Sequence, residues 1–190
     1  MGMNTKSKKI FIGLVGEFAC GKGTIAKYIA KKYKGKIVTF SDPLNDILFR
    51  IGEKKIRDNQ SALANGLRKA FGEDILSRAL MQEASLSKNK IIIIDGFRKM
   101  GELKYFKQFD NFVLINIKVD IKTRYERIIK RGEKVDEKTK TFEGFKKDHK
   151  LAADTDILKV AKEADYQVDN TGYIKDTYGQ IDSIIQIILK

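Results

Sequence analysis

Five short apolar runs divide the chain, and stretches with helical spacing lie between them. Lys9 to Val15 is hydrophobic almost without interruption, which predicts a first strand buried on both faces. Lys36 to Phe40 reads as a second strand. Lys90-Ile91-Ile92-Ile93-Ile94-Asp95 gives the strongest strand signal, because four consecutive β-branched residues predict a central, doubly covered strand. Asn111 to Lys118 predicts a fourth strand, and the stretch from Ala164 to Gly172 a fifth with its loop. Apolar residues recur three or four apart from Ile25 to Tyr33, which predicts a helix after the first strand. Arg57 to Leu86 predicts a long helical stretch broken near Phe71-Gly72. Leu63, Leu67 and Ala70 share one apolar face of it, and Ile75, Leu76, Ala79 and Leu80 another. A further helix is expected from Asp120 through Arg131. An amphipathic closing helix follows from Tyr173 to Lys190, with Ile181, Ile184, Ile185 and Ile188 inward. Strands alternating with helices predict an α/β three-layer sandwich around a five-stranded parallel sheet.

Length and composition change this picture little. At 190 residues the chain suits one domain with a full core. No apolar run approaches the roughly 20 residues that span a bilayer. Met1 to Lys9 is basic but has no apolar stretch behind it, so it does not read as a secretory signal. A single cysteine excludes an internal disulfide and fits a reducing, cytoplasmic setting. The formal charge of +13 suits anionic partners. The lysines are scattered rather than gathered in one stripe, which argues for small anionic ligands over a dedicated nucleic-acid surface.

The chemistry concentrates in Gly16-Glu17-Phe18-Ala19-Cys20-Gly21-Lys22-Gly23-Thr24. A strand precedes this stretch and a helix follows it, the context a phosphate-binding loop requires. Two glycines five apart let the backbone curl so that successive N–H groups converge on one anion. The following helix adds its positive end. Gly16, Ala19, Cys20, Gly21, Lys22, Gly23 and Thr24 are therefore the expected ATP-binding residues, with Lys22 a point charge on the β- and γ-phosphates. Cys20 reads either as a reactive thiol near a helix start or as a small residue in a tight slot.

The Gly-Lys-Gly-Thr ending of this loop resembles adenylate kinase and its relatives, P-loop kinases that phosphorylate nucleoside monophosphates. Asp95-Gly96-Phe97-Arg98 resembles the segment that grips the acceptor phosphate in the same kinases, without its proline. The resemblance implies strand order 2-3-1-4-5, ATP and Mg²⁺ as cofactors, and an acceptor module inserted at about residues 43–88. Asp95, ending a central strand, is the natural acid for the metal together with Thr24. Arg98 is the implied acceptor-phosphate ligand, its planar fork suited to a bidentate grip. Glu102 stands where those kinases place an adenine-reading glutamine; a carboxylate accepts but does not donate. Asp42 is a candidate acceptor ligand or base, with a helix-capping role equally open for Ser41 or Asp42. Arg50 and Arg68 are further candidates for binding the acceptor. Arg127 and Arg131, four apart on one helix face, are implied ligands of the transferring phosphoryl group. The polar, charged stretch at about residues 132–156 is expected to be a lid over ATP. It has no cysteine cluster, and its His149 is expected to be exposed and structural. Ala164-Asp165-Tyr166-Gln167-Val168-Asp169-Asn170-Thr171-Gly172 resembles a segment of dephospho-CoA kinases beside the ATP base, making Asn170 and Gly172 candidate adenine contacts.

Together these readings predict an ATP-dependent phosphotransferase acting on a nucleoside or deoxynucleoside monophosphate, as monomer or homodimer. Dephospho-CoA or another small molecule is an alternative acceptor. A P-loop ATPase or nucleotide switch bound to RNA is the alternative from another class.

Overall fold

The computed structural model describes residues 9–132, 141–150 and 155–190. The strands are β1 (Ile10–Val15), β2 (Lys36–Thr39), β3 (Ile91–Asp95), β4 (Phe112–Lys118) and β5 (Tyr166–Asp169). They form one parallel sheet in the order β2-β3-β1-β4-β5, as expected. The helices are α1 (Lys22–Tyr33), α2 (Asp42–Arg50), α3 (Arg57–Phe71), α4 (Ile75–Leu86), α5 (Met100–Phe106), α6 (Ile121–Arg131), α7 (Phe142–Lys150), α8 (Thr155–Lys162) and α9 (Ile174–Ile188). No described helix is long and apolar enough to cross a membrane.

Strand alternation sorts the core into two layers of different chemistry. Phe11 and Val15 of β1 and Ile92 and Ile94 of β3 face one side, where Phe40, Phe97, Phe106 and Phe112 join them. Ile12 and Leu14 of β1 and Ile91 and Ile93 of β3 face the other, against Ile25 and Ile29 of α1 and Ile181 and Ile185 of α9. The aromatic layer is a network of tilted and edge-to-face rings, such as Phe97 on Phe106 at 5.6 Å between centroids. It closes over a gap in β1: a Cβ on Gly13 would lie 2.8 Å from both the Phe112 and Phe97 rings. On the aliphatic side, the α1–α9 seam carries a polar clasp. Tyr28 and Tyr33 hydroxyls and the Lys32 ammonium all donate to the Asp182 carboxylate, at 2.7–2.9 Å. Tyr28 also stacks on Tyr178, 3.8 Å between centroids.

The structure corrects the chain's reading at two places. First, α8 is a helix that the charge-rich stretch before β5 did not suggest. Ile157, Val160 and Ala161 repeat at helical spacing, and Val160 is fully buried in the aromatic layer. Most of the remaining lid candidate, residues 133–140 and 151–154, lies outside the described residues, as do residues 1–8 and the side chain of His149. Second, neither Ser41 nor Asp42 caps α2 with its side chain. Asp42 turns back instead, and its Oδ2 accepts from the Thr39 N–H at 2.8 Å.

Candidate active site

The loop between β1 and α1 wraps around its own lysine. Lys22 Nζ donates to the carbonyls of Gly16 (2.6 Å) and Glu17 (3.3 Å). Ala19 and Gly21 both hold positive φ, at 63° and 91°, which curls the backbone. Cys20 is buried, its sulfur 3.6 Å from Lys22 Nζ, so it fills a slot inside the loop. Thr24 is exposed in the first turn of α1, its N–H held by the Gly21 carbonyl.

Three arginines of α6 reach the loop or its support. Arg124, which no sequence motif marks, is 2 % exposed and ion-pairs with Glu17 at 3.1 Å. Arg127 Nη2 donates to the Asn170 carbonyl at 2.7 Å. The Arg131 guanidinium lies 5.4 Å from the centroid of the Phe18 ring. Arg124, Arg127 and Arg131 are spaced three and four apart, so one helix face meets one loop. Asn170, expected beside the base, is instead 2 % exposed; it packs behind the loop. Gly172 is exposed in the turn that follows.

β3 ends at Asp95, beside this loop. One Asp95 oxygen, Oδ1, is buried with no hydrogen-bond partner. Burial pushes the carboxyl above its usual pKa, while the Lys22 charge, the Gly96 N–H and the Arg98 charge pull it down. An orphaned buried carboxylate oxygen facing a phosphate loop fits a divalent cation, a hard ion that seeks oxygen ligands.

A cleft of about 570 Å³ opens from this point between the sheet and α2, α3 and α4. Lys22 and Asp95 line its end at the loop, and Arg57, Arg68, Arg98 and Lys99 line it further out. Gln60, Ser61 and Asn65 add polar groups from α3, and Phe40, Leu44 and Leu76 an apolar wall. Arg57 was not anticipated, although Arg57, Gln60, Ala64 and Arg68 recur with helical spacing along one face of α3. Arg98 is exposed at the mouth, directly after the buried Phe97.

Two expected acceptor residues are placed otherwise. Arg50 is exposed and does not line the cleft. Asp42 does not line it either, because its carboxylate closes the turn after β2. Glu102 does border the cleft, but it is 1 % exposed and both oxygens are engaged. Oε1 accepts from Arg68 Nη2 at 2.6 Å, and Oε2 accepts from the Arg98 and Lys99 N–H groups at 2.8 and 3.0 Å. The carboxylate thus ties α3 to the start of α5 and neutralises Arg68, which is itself mostly covered rather than solvated. Removing one partner of such a pair strands a buried charge, at a cost of about 3–5 kcal/mol. Lys99 is similarly paired, with Asp156 of α8 at 2.8 Å.

A family profile described as an AAA domain matches residues 12–148. The UPF0200 protein of Methanocaldococcus jannaschii is 31% identical over 182 residues, covering 95% of this chain and 91% of the relative. The chain is an AAA-domain protein of the UPF0200 family. The UPF0200 protein of Sulfurisphaera tokodaii is 29% identical over 178 residues, covering 94% and 97% of the two chains. Among solved structures, shikimate kinase from Bacteroides thetaiotaomicron superposes with a TM-score of 0.62 at 14% identity, covering 95% of this chain and 99% of that one. TT1252 from Thermus thermophilus superposes at 0.61 and 15% identity, covering 95% and 98%. At these identities the likeness is one of fold. This UPF0200 protein has the P-loop kinase fold, and the expected resemblance to small-molecule P-loop kinases holds at that level.

Proposed function

We propose that this protein transfers the γ-phosphoryl group of ATP to a nucleoside or deoxynucleoside monophosphate bound in the cleft. One observation carries the reading: Lys22 of the phosphate loop and Asp95, which ends β3 beside that loop, both line the cleft. A donor phosphate held by the loop would therefore meet an acceptor held by the cleft. The acceptor oxygen forms the new bond to the γ-phosphorus as the bond to the β,γ-bridging oxygen breaks, and ADP leaves.

The loop N–H groups and Lys22 would bind the donor phosphates, and Arg127 and Arg131 would act near the transferring group. Mg²⁺, held by Asp95 and Thr24, would supply charge neutralisation across the phosphates when bound. Arg98 and Arg57 would hold the acceptor phosphate, with the paired Arg68 orienting the rest of the molecule. The charge inventory favours a phosphate acceptor over a hydroxyl. A hydroxyl needs a base to take its proton. Among the described residues, Asp95 and Glu102 are the carboxylates lining the cleft; Glu102 is fully engaged, and Asp95 is assigned to the metal. A phosphomonoester, with a second pKa near about 6, is already deprotonated at pH 7 and needs none.

The test is a panel of acceptors with ATP and Mg²⁺, comprising the nucleoside and deoxynucleoside monophosphates and dephospho-CoA. ADP formation that depends on one monophosphate supports the proposal. Turnover with dephospho-CoA alone, or ATP hydrolysis indifferent to every acceptor, would replace it.

A further inference from the structure

Asn170 follows β5 and is separated from the phosphate loop by 150 residues, yet its side chain is hydrogen-bonded inside that loop's support. Nδ2 donates to the Cys20 carbonyl at 2.8 Å. Oδ1 accepts from the Thr177 hydroxyl of α9 at 2.8 Å. The backbone of Asn170 is fixed as well: its N–H donates to the Lys118 carbonyl at 2.8 Å, and its carbonyl accepts from Arg127. Asn170 and Thr177 are 2 % and 1 % exposed. One buried residue thus joins the ends of β4 and β5, the helices α6 and α9, and the loop, its side-chain amide linking α9 to the loop.

The Cys20 carbonyl is the informative partner. In a trans peptide the C=O and the next N–H point in opposite directions. Drawing the Cys20 oxygen back toward Asn170 turns the Gly21 N–H the other way, to the concave side of the loop. That N–H has no acceptor among the described residues. A carbonyl only accepts, so the amide must present its nitrogen to Cys20, and the Thr177 hydroxyl donates to the oxygen left at the other end. The closeness of the contact also explains Gly21: a Cβ there would lie 2.6 Å from Asn170 Nδ2.

We propose that Asn170 is a positioning residue, oriented by Thr177, that sets the Cys20–Gly21 peptide so that the Gly21 N–H faces a bound phosphate. The proposal rests on the loop's binding nucleotide phosphates, as in the function proposed above. It differs from the expectation that Asn170 touches the adenine ring, because it places the effect of this residue on the phosphates alone.

The experiment measures binding of MgADP and of tripolyphosphate, which has no base, to the full-length wild type and to Asn170→Asp, Thr177→Val and Thr177→Ser. Asn170→Asp keeps the shape but sets an acceptor against the Cys20 carbonyl. It should weaken MgADP and tripolyphosphate by the same factor, about tenfold to a hundredfold. Thr177→Val should weaken both in parallel but less, and Thr177→Ser, which keeps the hydroxyl, should restore them. A loss confined to MgADP would mean that Asn170 reads the base, and would overturn the proposal. Unchanged binding in folded variants would overturn it too. If Asn170→Asp does not fold, the Thr177 pair decides: Val binding both ligands as tightly as Ser rejects the proposal. Failure of the wild type to bind either ligand would instead reject the kinase reading itself.

Discussion

The two ends of the site are built in opposite ways, although each would hold an anion. The donor end is backbone, curled by positive φ at Ala19 and Gly21 and supported from behind by buried side chains: Arg124 on Glu17, and Asn170 on Cys20. The acceptor end is made of side chains on one face of α3 and on the β3–α5 connection, and its arginines range from the covered Arg68 to the exposed Arg57 and Arg98. Backbone amides held by a packed frame cost no reorganisation when charge develops in the transition state, which suits the group common to all turnovers. Exposed side chains on an outlying helix, such as Arg57, can be exchanged without disturbing the frame. The difference teaches where constancy and variation reside: the loop would define the phosphoryl donor, and α3 the choice of acceptor.

Removing the loop side chain that also lines the cleft is expected to have the largest effect. Lys22→Ala should lower kcat by roughly a hundredfold to a thousandfold or more while leaving the melting temperature near wild type. Retention of more than about a tenth of wild-type kcat would break the assignment. Next comes the contrast between ends. Arg98→Ala should raise the acceptor KM about 30-fold to 1,000-fold with ATP affinity unchanged, and Arg98→Lys should recover little. Arg131→Ala should instead lower kcat with modest change in either KM. Equal weakening of both substrates by Arg98→Ala, measured by varying both in steady-state kinetics, would erase the distinction between the two ends.

Much of this contrast follows legibility in the sequence. The strands and the phosphate loop are local patterns: runs of β-branched residues, a glycine spacing, a helix start; the order of the strands came only from the resemblance to P-loop kinases. The supports are not. Asn170 and Cys20, Arg124 and Glu17, and Arg68 and Glu102 meet only because the sheet stacks distant segments, and nothing in their own neighbourhoods announces the pairing. Asn170 reads as an adenine contact because its segment resembles the one beside the ATP base in dephospho-CoA kinases, whereas the fold turns it behind the loop. Glu102 looked like a ligand because position alone suggested it, and burial reversed that. Nothing local marks Arg57, because a polar helix face by itself does not distinguish a cleft wall from a solvated surface. Helix α8 was hidden by charge, although Ile157, Val160 and Ala161 carried its period.

A smaller effect tests the frame behind the donor end. Asp182 gathers Tyr28, Lys32 and Tyr33, and with them docks α9 on α1. Asp182→Ala should lower the melting temperature by on the order of 5 °C at neutral pH. The pH dependence follows from the shifts. Burial and the Asp182 contact push the Tyr33 phenol up to about 12. The unfolded chain therefore releases that proton first, and this contribution to stability falls as pH rises from about 10 toward 12. Although burial alone would raise it, the bonds from Lys32, Tyr33 and Tyr28 leave the Asp182 carboxyl below its usual range. Its contribution is present above the ordinary carboxylate range and is lost on acidification through the folded-state value. Asp182→Ala should reduce both slopes in denaturant titrations across pH. The smallest effect sets two glycines of one loop apart. Gly23 has open space where a Cβ would sit, unlike Gly21. Gly23→Ala should raise stability by up to about 1 kcal/mol, or ~2 °C by thermal melt, by restricting the unfolded chain. A loss of stability would show that the loop is tight at its last turn as well.

The missing side chain at Gly13 has a consequence for how this protein could be altered from a distance. Phe97, whose ring fills the space over Gly13, is the residue immediately before Arg98. The exposed arginine at the cleft mouth is therefore anchored, one peptide away, in the middle of the aromatic layer. A methyl group added to the floor of the sheet would push that ring and carry the arginine with it. Acceptor affinity could then drift through changes in the protein's deepest packing, with every cleft residue intact, and the core would serve as a hidden dial on the chemistry at the surface.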